Sequence, residues 1–409
     1  MLSLVTCEVW IASTVKNLRL KNVLPIQEGN KVKMLNRILR ANRHFMIRSF
    51  AVISLVAWAL ASAQAGKITT IASTIPSNGD LNPYGVARVP TTTGLLTKGN
   101  ILVSNFNNSQ NQQGTGTTIM QITPSGTVTQ FAQIDANTLP GPCPGGVGLT
   151  TALVALRTGW VIVGSLPTTD GTSATAQAGC LLVLNSSGQV VETFFGSLIN
   201  GPWDMAASDH GRNASLFVTN VLNGTVAGGG KIVHEGTVLR LDLNIARGSM
   251  PSLQQMTIVG SGFAERTDPN ALVIGPTGLA LSGHGRQGDQ GDQVLYVADS
   301  LNNRIVVLAD PLRRNTSDGT GLTVSEGGTF NVPLGLEIAT NGDILTVNGG
   351  DGFLVETRVD GHHGHQVRKV LLDDMGNPPG VGALFGLIDV AGQGIYFVDD
   401  DENALNLLH

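Results

Sequence analysis

The chain has 409 residues, of which 42% are hydrophobic, 13% charged and 5% aromatic, and it holds 52 glycines. Charge this sparse argues against an intrinsically disordered chain or a coiled coil, and 17 scattered prolines with no G-X-Y period argue against collagen. The formal net charge of −5 is unevenly distributed.

Residues 1–65 carry nine basic side chains (Lys16, Arg19, Lys21, Lys31, Lys33, Arg37, Arg40, Arg43, Arg48) against two acids, Glu8 and Glu28. Arg48 precedes an apolar run, Phe50 to Ala61, which is followed by Ala63-Gln64-Ala65. A charged region, a short apolar core and a small-x-small site together read as a secretory signal peptide. The run is short for a membrane span. Met34 or Met46 is then the expected start, residues 1–45 have no folded role, and 1–65 as a whole is a misassigned start plus the signal peptide. Taking its nine bases and two acids from the totals of 25 and 30 leaves 16 against 28, a net charge of −12 for 66–409. That disfavours nucleic acid, whose phosphates need a basic footprint. The expected product is secreted or periplasmic, with no transmembrane span.

From residue 67 onward the chain repeats itself. Lys67–Ser73 reads as a lone strand. A phrase of turn residue, Gly and aliphatics then recurs: Pro83-Tyr84-Gly85-Val86, Gly146-Val147-Gly148-Leu149, Pro202-Trp203-Asp204-Met205, Pro276-Thr277-Gly278-Leu279, Pro333-Leu334-Gly335-Leu336 and Phe385-Gly386-Leu387. After each comes a second apolar strand, at 101–103, 161–163, 216–218, 295–297, 344–346 and 395–397. Third strands follow at 118–122, 181–184, 238–243, 304–308, 353–359 and 404–408. Fourth strands follow at 127–131, 190–195, 255–259, near 322–326, and at 366–372, several after hairpin signals such as Ser187-Gly188. The phrase markers at 86, 149, 205, 279, 336 and 387 are 51 to 74 residues apart. Six four-stranded units of this size specify an all-β, six-bladed β-propeller. The sixth unit lacks a fourth strand, and 67–73 is expected to supply it and close the ring, since a bare edge is a liability.

The fourth unit is the most regular. Its Gly275-Pro276-Thr277-Gly278-Leu279-Ala280, Val294–Asp299 and Asn302-Asn303-Arg304-Ile305 resemble an NHL repeat. The resemblance extends, as architecture, to the gluconolactonase-like and strictosidine-synthase-like propellers. It implies a six-bladed fold that hosts binders, lactonases and lyases, so it names no single activity.

The residue two past each second strand occupies a common position: Asn105, Ser165, Asn220, Asp299, Asn348 and Asp399. These six are expected at the mouth of the central channel, as a polar ligand site or as caps for nearby backbone N–H groups. Gluconolactonase-like enzymes imply a divalent cation there, Ca²⁺ or another, with Asn220, Asp299, Asp399 and Glu337 as the oxygen donors available. The first inner segment, Tyr84-Gly85-Val86-Ala87, departs from that pattern because it carries no acid. His362, His363 and His365 are read as a solvated turn, Asp399–Glu402 as an acidic turn, and Gly228–Lys231 as a flexible loop. Connections 106–117, 166–179 and 221–236 are long where 300–303, 349–352 and 400–403 are short, which would wall one side of the mouth with polar residues. Cys143 and Cys180 are expected to pair in an oxidising compartment. The expected function is a monomeric binding module for a polar small molecule, a glycan or a protein. A cation-dependent lactonase or other hydrolase at the mouth is the alternative.

Overall fold

A computed structural model describes residues 66–269, 271–282, 293–361 and 363–409. The leader expectation and His362 lie outside the described residues.

Strand β1 (Ile68–Ser73) comes first. Blade one is β2 (Leu81–Arg88), β3 (Ile101–Asn107), β4 (Thr118–Ile122) and β5 (Val128–Gln133). Blade two is β6 (Leu149–Ala155), β7 (Val161–Ser165), β8 (Leu181–Leu184) and β9 (Val190–Phe194). Blade three has five strands: β10 (Pro202–Asp209), β11 (Asn213–Asn220), β12 (Val233–Asn244), β13 (Ser252–Asp268) and β14 (Leu272–Ile274). Blade four is β15 (Pro276–Leu281), β16 (Leu295–Asp299), β17 (Arg304–Leu308) and β18 (Leu322–Glu326). Blade five is β19 (Pro333–Ile338), β20 (Ile344–Asn348), β21 (Phe353–Asp360) and β22 (His363–Leu371). Blade six is β23 (Leu384–Val390), β24 (Gly394–Asp399) and β25 (Ala404–Leu408), with β1 antiparallel to β25 from Ile68 opposite Leu408 to Ser73 opposite Ala404. The fold is therefore a six-bladed β-propeller.

Register corrects one marker. Val86, Met205, Leu279, Leu336 and Leu387 each lie opposite the same position of the second strand, and in blade two that place belongs to Leu153, not Leu149. The first strand of blade two carries one extra residue before the shared position, which hid it. A short helical turn, α1 (Thr225–Gly228), precedes the glycine run, and residues 229–232 lie outside helix and strand. One further reading changes. His363 and His365 lie within β22, opposite Asp360 and Arg358, rather than in the turn.

The inner strands pack closely because the recurring glycine has no side chain. A methyl on Gly335 would strike the backbone carbonyl of Phe385 in blade six, and one on Gly386 would strike that of Tyr84 in blade one. A second device stitches blades together. Ser104 Oγ accepts from Gly85 N at 3.0 Å and donates to Thr150 O of blade two at 2.8 Å. Thr219 Oγ1 does the same between Asp204 N (3.0 Å) and Thr277 O of blade four (2.8 Å). Between the blades, alternate residues form continuous apolar layers, as with Phe217, Val238, Phe263, Val297 and Val306.

Cys143 and Cys180 form a disulfide, with Cα atoms 5.1 Å apart. It ties the segment entering blade two to the start of β8. The connections from second to third strands run 108–117, 166–180 and 221–232 in blades one to three, against 300–303, 349–352 and 400–403 in the others. No helix among the described residues is long and apolar enough to cross a membrane.

Candidate functional site

Asn105, Ser165, Asn220, Asp299, Asn348 and Asp399 share one position, opposite Pro83, Leu149, Pro202, Pro276, Pro333 and Leu384 of the inner strands. All six are at most 1% exposed. Most of their polar atoms are occupied locally, while Asn105 Oδ1 and Asn220 Nδ2 are buried without a hydrogen-bond partner. Asn105 Nδ2 donates to Thr74 O and Thr118 Oγ1, each at 3.1 Å. Ser165 Oγ donates to Gly146 O at 2.9 Å and accepts from Gly148 N at 3.0 Å. Asn220 Oδ1 accepts from Asn200 N at 2.9 Å. Asp299 is ion-paired with Arg304 at 2.7 Å. Asn348 accepts from Asn331 N and donates to Thr329 O and Asp351. Asp399 accepts from Glu402 N at 3.2 Å. These groups hold the connecting segments at the strand ends, and none of them lines the central cavity.

The next residue along each inner strand explains why. That ring reads Tyr84, Thr150, Trp203, Thr277, Leu334 and Phe385, all buried. Tyr84 stacks on Phe385 with centroids 3.8 Å apart and on Phe106 at 4.4 Å. Leu272 and Val273 of β14, 1% and 2% exposed, join Tyr84, Trp203, Leu334 and Phe385 in one apolar cluster. The extended β13–β14 hairpin of blade three thus supplies an apolar plug where a polar mouth was expected.

Beyond the plug is a cavity of about 380 Å³, lined by inner strands of all six blades. It reaches the far ends of those strands, where Arg88, Arg157 and Asp209 border it. Two carboxyl groups line it deep in the ring, Asp204 and Glu337. Asp204 stands in the third copy of the phrase where four other copies have the close-packing glycine. Its Oδ2 accepts from Leu279 N of blade four at 3.0 Å, and its Oδ1 from Met205 N at 2.8 Å. Burial pushes its pKa up to about 7, against the opposing pull of those two amide bonds. Burial likewise pushes Glu337 up to about 8, offset by a bond from Ile338 N and reinforced by the charges of Asp204 and Asp389. Glu337 therefore feels the charge of Asp204, and burial raises both carboxyls well above the ordinary carboxylate range.

Sequence reading named Glu337 but placed it with the strand-end acids. It lies instead with Asp204 in the channel. Among the described residues no three His, Cys, Asp or Glu side chains are placed to hold a metal, so Asp299, Asp399 and Glu337 are not brought together. The donors that a mouth cation would need do not fit: Asp299 is neutralised by Arg304, and Tyr84 and Phe385 fill the opening.

No protein-family model and no curated protein matches the sequence. Among solved structures, a gluconolactonase from Xanthomonas campestris is 14% identical, with 86% of this chain and 92% of that one covered at a TM-score of 0.48. A streptogramin B lyase is 12% identical, with 84% and 98% covered and a TM-score of 0.49. A calcium-binding regucalcin from Agrobacterium tumefaciens is 13% identical, with 83% and 95% covered and a TM-score of 0.46. Likeness this distant carries no inference about activity.

Proposed function

We propose that residues 66–409 are an exported, NHL-like propeller that binds a polar ligand rich in hydrogen-bond donors, such as the end of a glycan, in the central channel. The observation that supports this reading most is the Asp204–Glu337 pair. Two acceptor-rich carboxyls face a cavity of about 380 Å³ that is otherwise lined largely by aliphatic side chains and backbone. The exposed lining of that cavity is more polar than apolar, which suits a ligand held by hydrogen bonds in a preformed concave site. The plug at the opposite end directs the ligand to approach past Arg88, Arg157 and Asp209. The disulfide supports an oxidising compartment, and the leader-like 1–65 supports export.

The test is calorimetric titration of the purified propeller with neutral mono- and disaccharides and short peptides. Saturable binding is expected, weakened about tenfold or more in Asp204→Asn and in Glu337→Gln. Failure of every such ligand to bind at millimolar concentration, or binding indifferent to both variants, would overturn the reading.

The same pair also favours a hydrolase as the second reading, because carboxyls poised near neutral pH suit proton transfer. Sugar-lactone hydrolysis lost in Glu337→Gln would select it over simple binding.

A further inference from the structure

A second cavity, of about 480 Å³, lies outside the channel on the face where first strands turn into second strands. Four turns wall it: 156–160 and 210–212 between first and second strands, and 185–189 and 245–251 between third and fourth strands, of blades two and three. These walls are pinned by backbone hydrogen bonds. Leu156 N donates to Trp160 O, Ile245 N to Arg212 O, and Ser249 N to Ala246 O. Leu95 N of blade one holds the Ser186 carbonyl at 2.7 Å. The cavity is therefore shaped before any ligand arrives, which lowers the ordering cost of binding.

Its chemistry differs from that of the rest of the surface. The lining includes Arg212, Arg247 and His210 and no Asp or Glu, in a propeller whose net charge is −12. Arg212 and Arg247 are exposed and form no ion pair among the described residues. Two unpaired guanidinium groups bordering one cavity offer planar, fork-shaped donors that match a carboxylate. Half-buried Trp160 adds a flat aromatic wall, and buried Ile245 an apolar one. Ser186, Asn185 and Thr158 add hydroxyl and amide groups. A guanidinium pair alone would take any anion. Combined with an indole face and short polar side chains, it suits a ring with one apolar face, several hydroxyls and a carboxylate.

We propose that this cavity is a binding site for an acidic saccharide, with the uronate carboxylate held by Arg212 and Arg247 and the sugar ring against Trp160. The site does not depend on the channel reading.

Intrinsic fluorescence tests it, because the propeller has two tryptophans, Trp160 and the buried Trp203. Titration with trigalacturonate should give a saturable change that disappears in Trp160→Phe. Affinity should fall about tenfold or more when both arginines become glutamine, with an unchanged melting temperature as the folding control. Neutral galactotriose should bind at least about tenfold more weakly. Equal affinity for the acidic and neutral trisaccharides would overturn the proposal. So would indifference to the arginine substitutions, absence of binding at millimolar concentration, or displacement by inorganic phosphate at the same concentration as trigalacturonate, since that pattern reads charge alone.

Discussion

At the scale of the residue, the informative feature is a departure from a repeat. Gly85, Gly278, Gly335 and Gly386 let neighbouring inner strands touch, and Asp204 takes that place in blade three with its carboxylate bonded to Leu279 N. Sequence reading passed over it, although an acid inside the repeated phrase is the signal that could have found it. What could not be read was its meeting with Glu337 across the channel, because strand pattern does not say how far along the axis two residues of different blades lie. The pair sets a pH dependence whose sign follows from the raised pKa values. Between the ordinary carboxyl range and about pH 7 for Asp204, or about 8 for Glu337, the folded chain keeps protons that the unfolded chain has lost. Stability from these groups therefore falls as pH rises through that window, by up to about 1.4 kcal/mol per pH unit for each, and levels off above it. Thermal melts between pH 4 and 9 should show the decline, and the Asp204→Asn, Glu337→Gln double variant should make it shallower, with the remaining slope left to Glu265 and Asp399, whose pKa values burial also raises. A double variant whose melting profile matches the parent's would mean that the two carboxyls are ordinary in the folded state.

At the scale of the element, the β13–β14 hairpin and the disulfide shape the face that sequence reading took for a polar mouth. The strand-end residues Asn105 to Asp399 were found at their shared position because a strand pattern fixes register. Their burial was not foreseen, because it depends on the residue one step along the inner strand, where Tyr84, Trp203, Leu334 and Phe385 close the ring. The hairpin escaped notice for another reason. The 17-residue β13 exceeds the usual outer strand, and its continuation to Leu272 reads as loop. Leu272 sits at φ 60°, a left-handed conformation costing about 1–2 kcal/mol for a residue with a side chain. The plug offsets that cost by burying its isobutyl group. Leu272→Ala should destabilise the domain by about 2–5 kcal/mol in urea unfolding, as for other buried leucines. A change under about 0.5 kcal/mol, the size of an ordinary surface substitution, would mean the hairpin tip is not packed. The disulfide closes a loop with a sequence separation of 37, for which chain entropy gives about 3–4 kcal/mol. Cys143→Ala, Cys180→Ala together should lower the unfolding free energy by that order, measured under non-reducing conditions. A reductant-insensitive melting temperature in the parent protein would contradict the contribution.

At the scale of the whole molecule, the ring depends on one pairing between distant ends of the propeller. Blade count and strand order were legible because each blade repeats the same local pattern, and local pattern is what sequence periodicity reports. Closure is a non-local matter. Ile68 pairs with Leu408 and Ser73 with Ala404, and further bonds run from His409 N to Lys67 O and from Thr74 N to Asn403 O. Asn105 Nδ2 of blade one also donates to Thr74 O, so the closing strand is tied to the first blade as well as the last. Without β1, strand β25 would expose an unpaired edge carrying Leu405, Leu407 and Leu408, all now buried. Stability of the last blade and the first are thereby coupled, unlike an open repeat array whose end units fray independently. Deletion of residues 66–74 should therefore lower the melting temperature of the entire domain in one transition and promote edge-to-edge association visible in size-exclusion chromatography. Adding the excised segment as a separate peptide should restore part of the lost stability, because the pairing surface of β25 remains. A truncated protein that melts at the parent temperature, as a monomer, would show that the ring closes without β1.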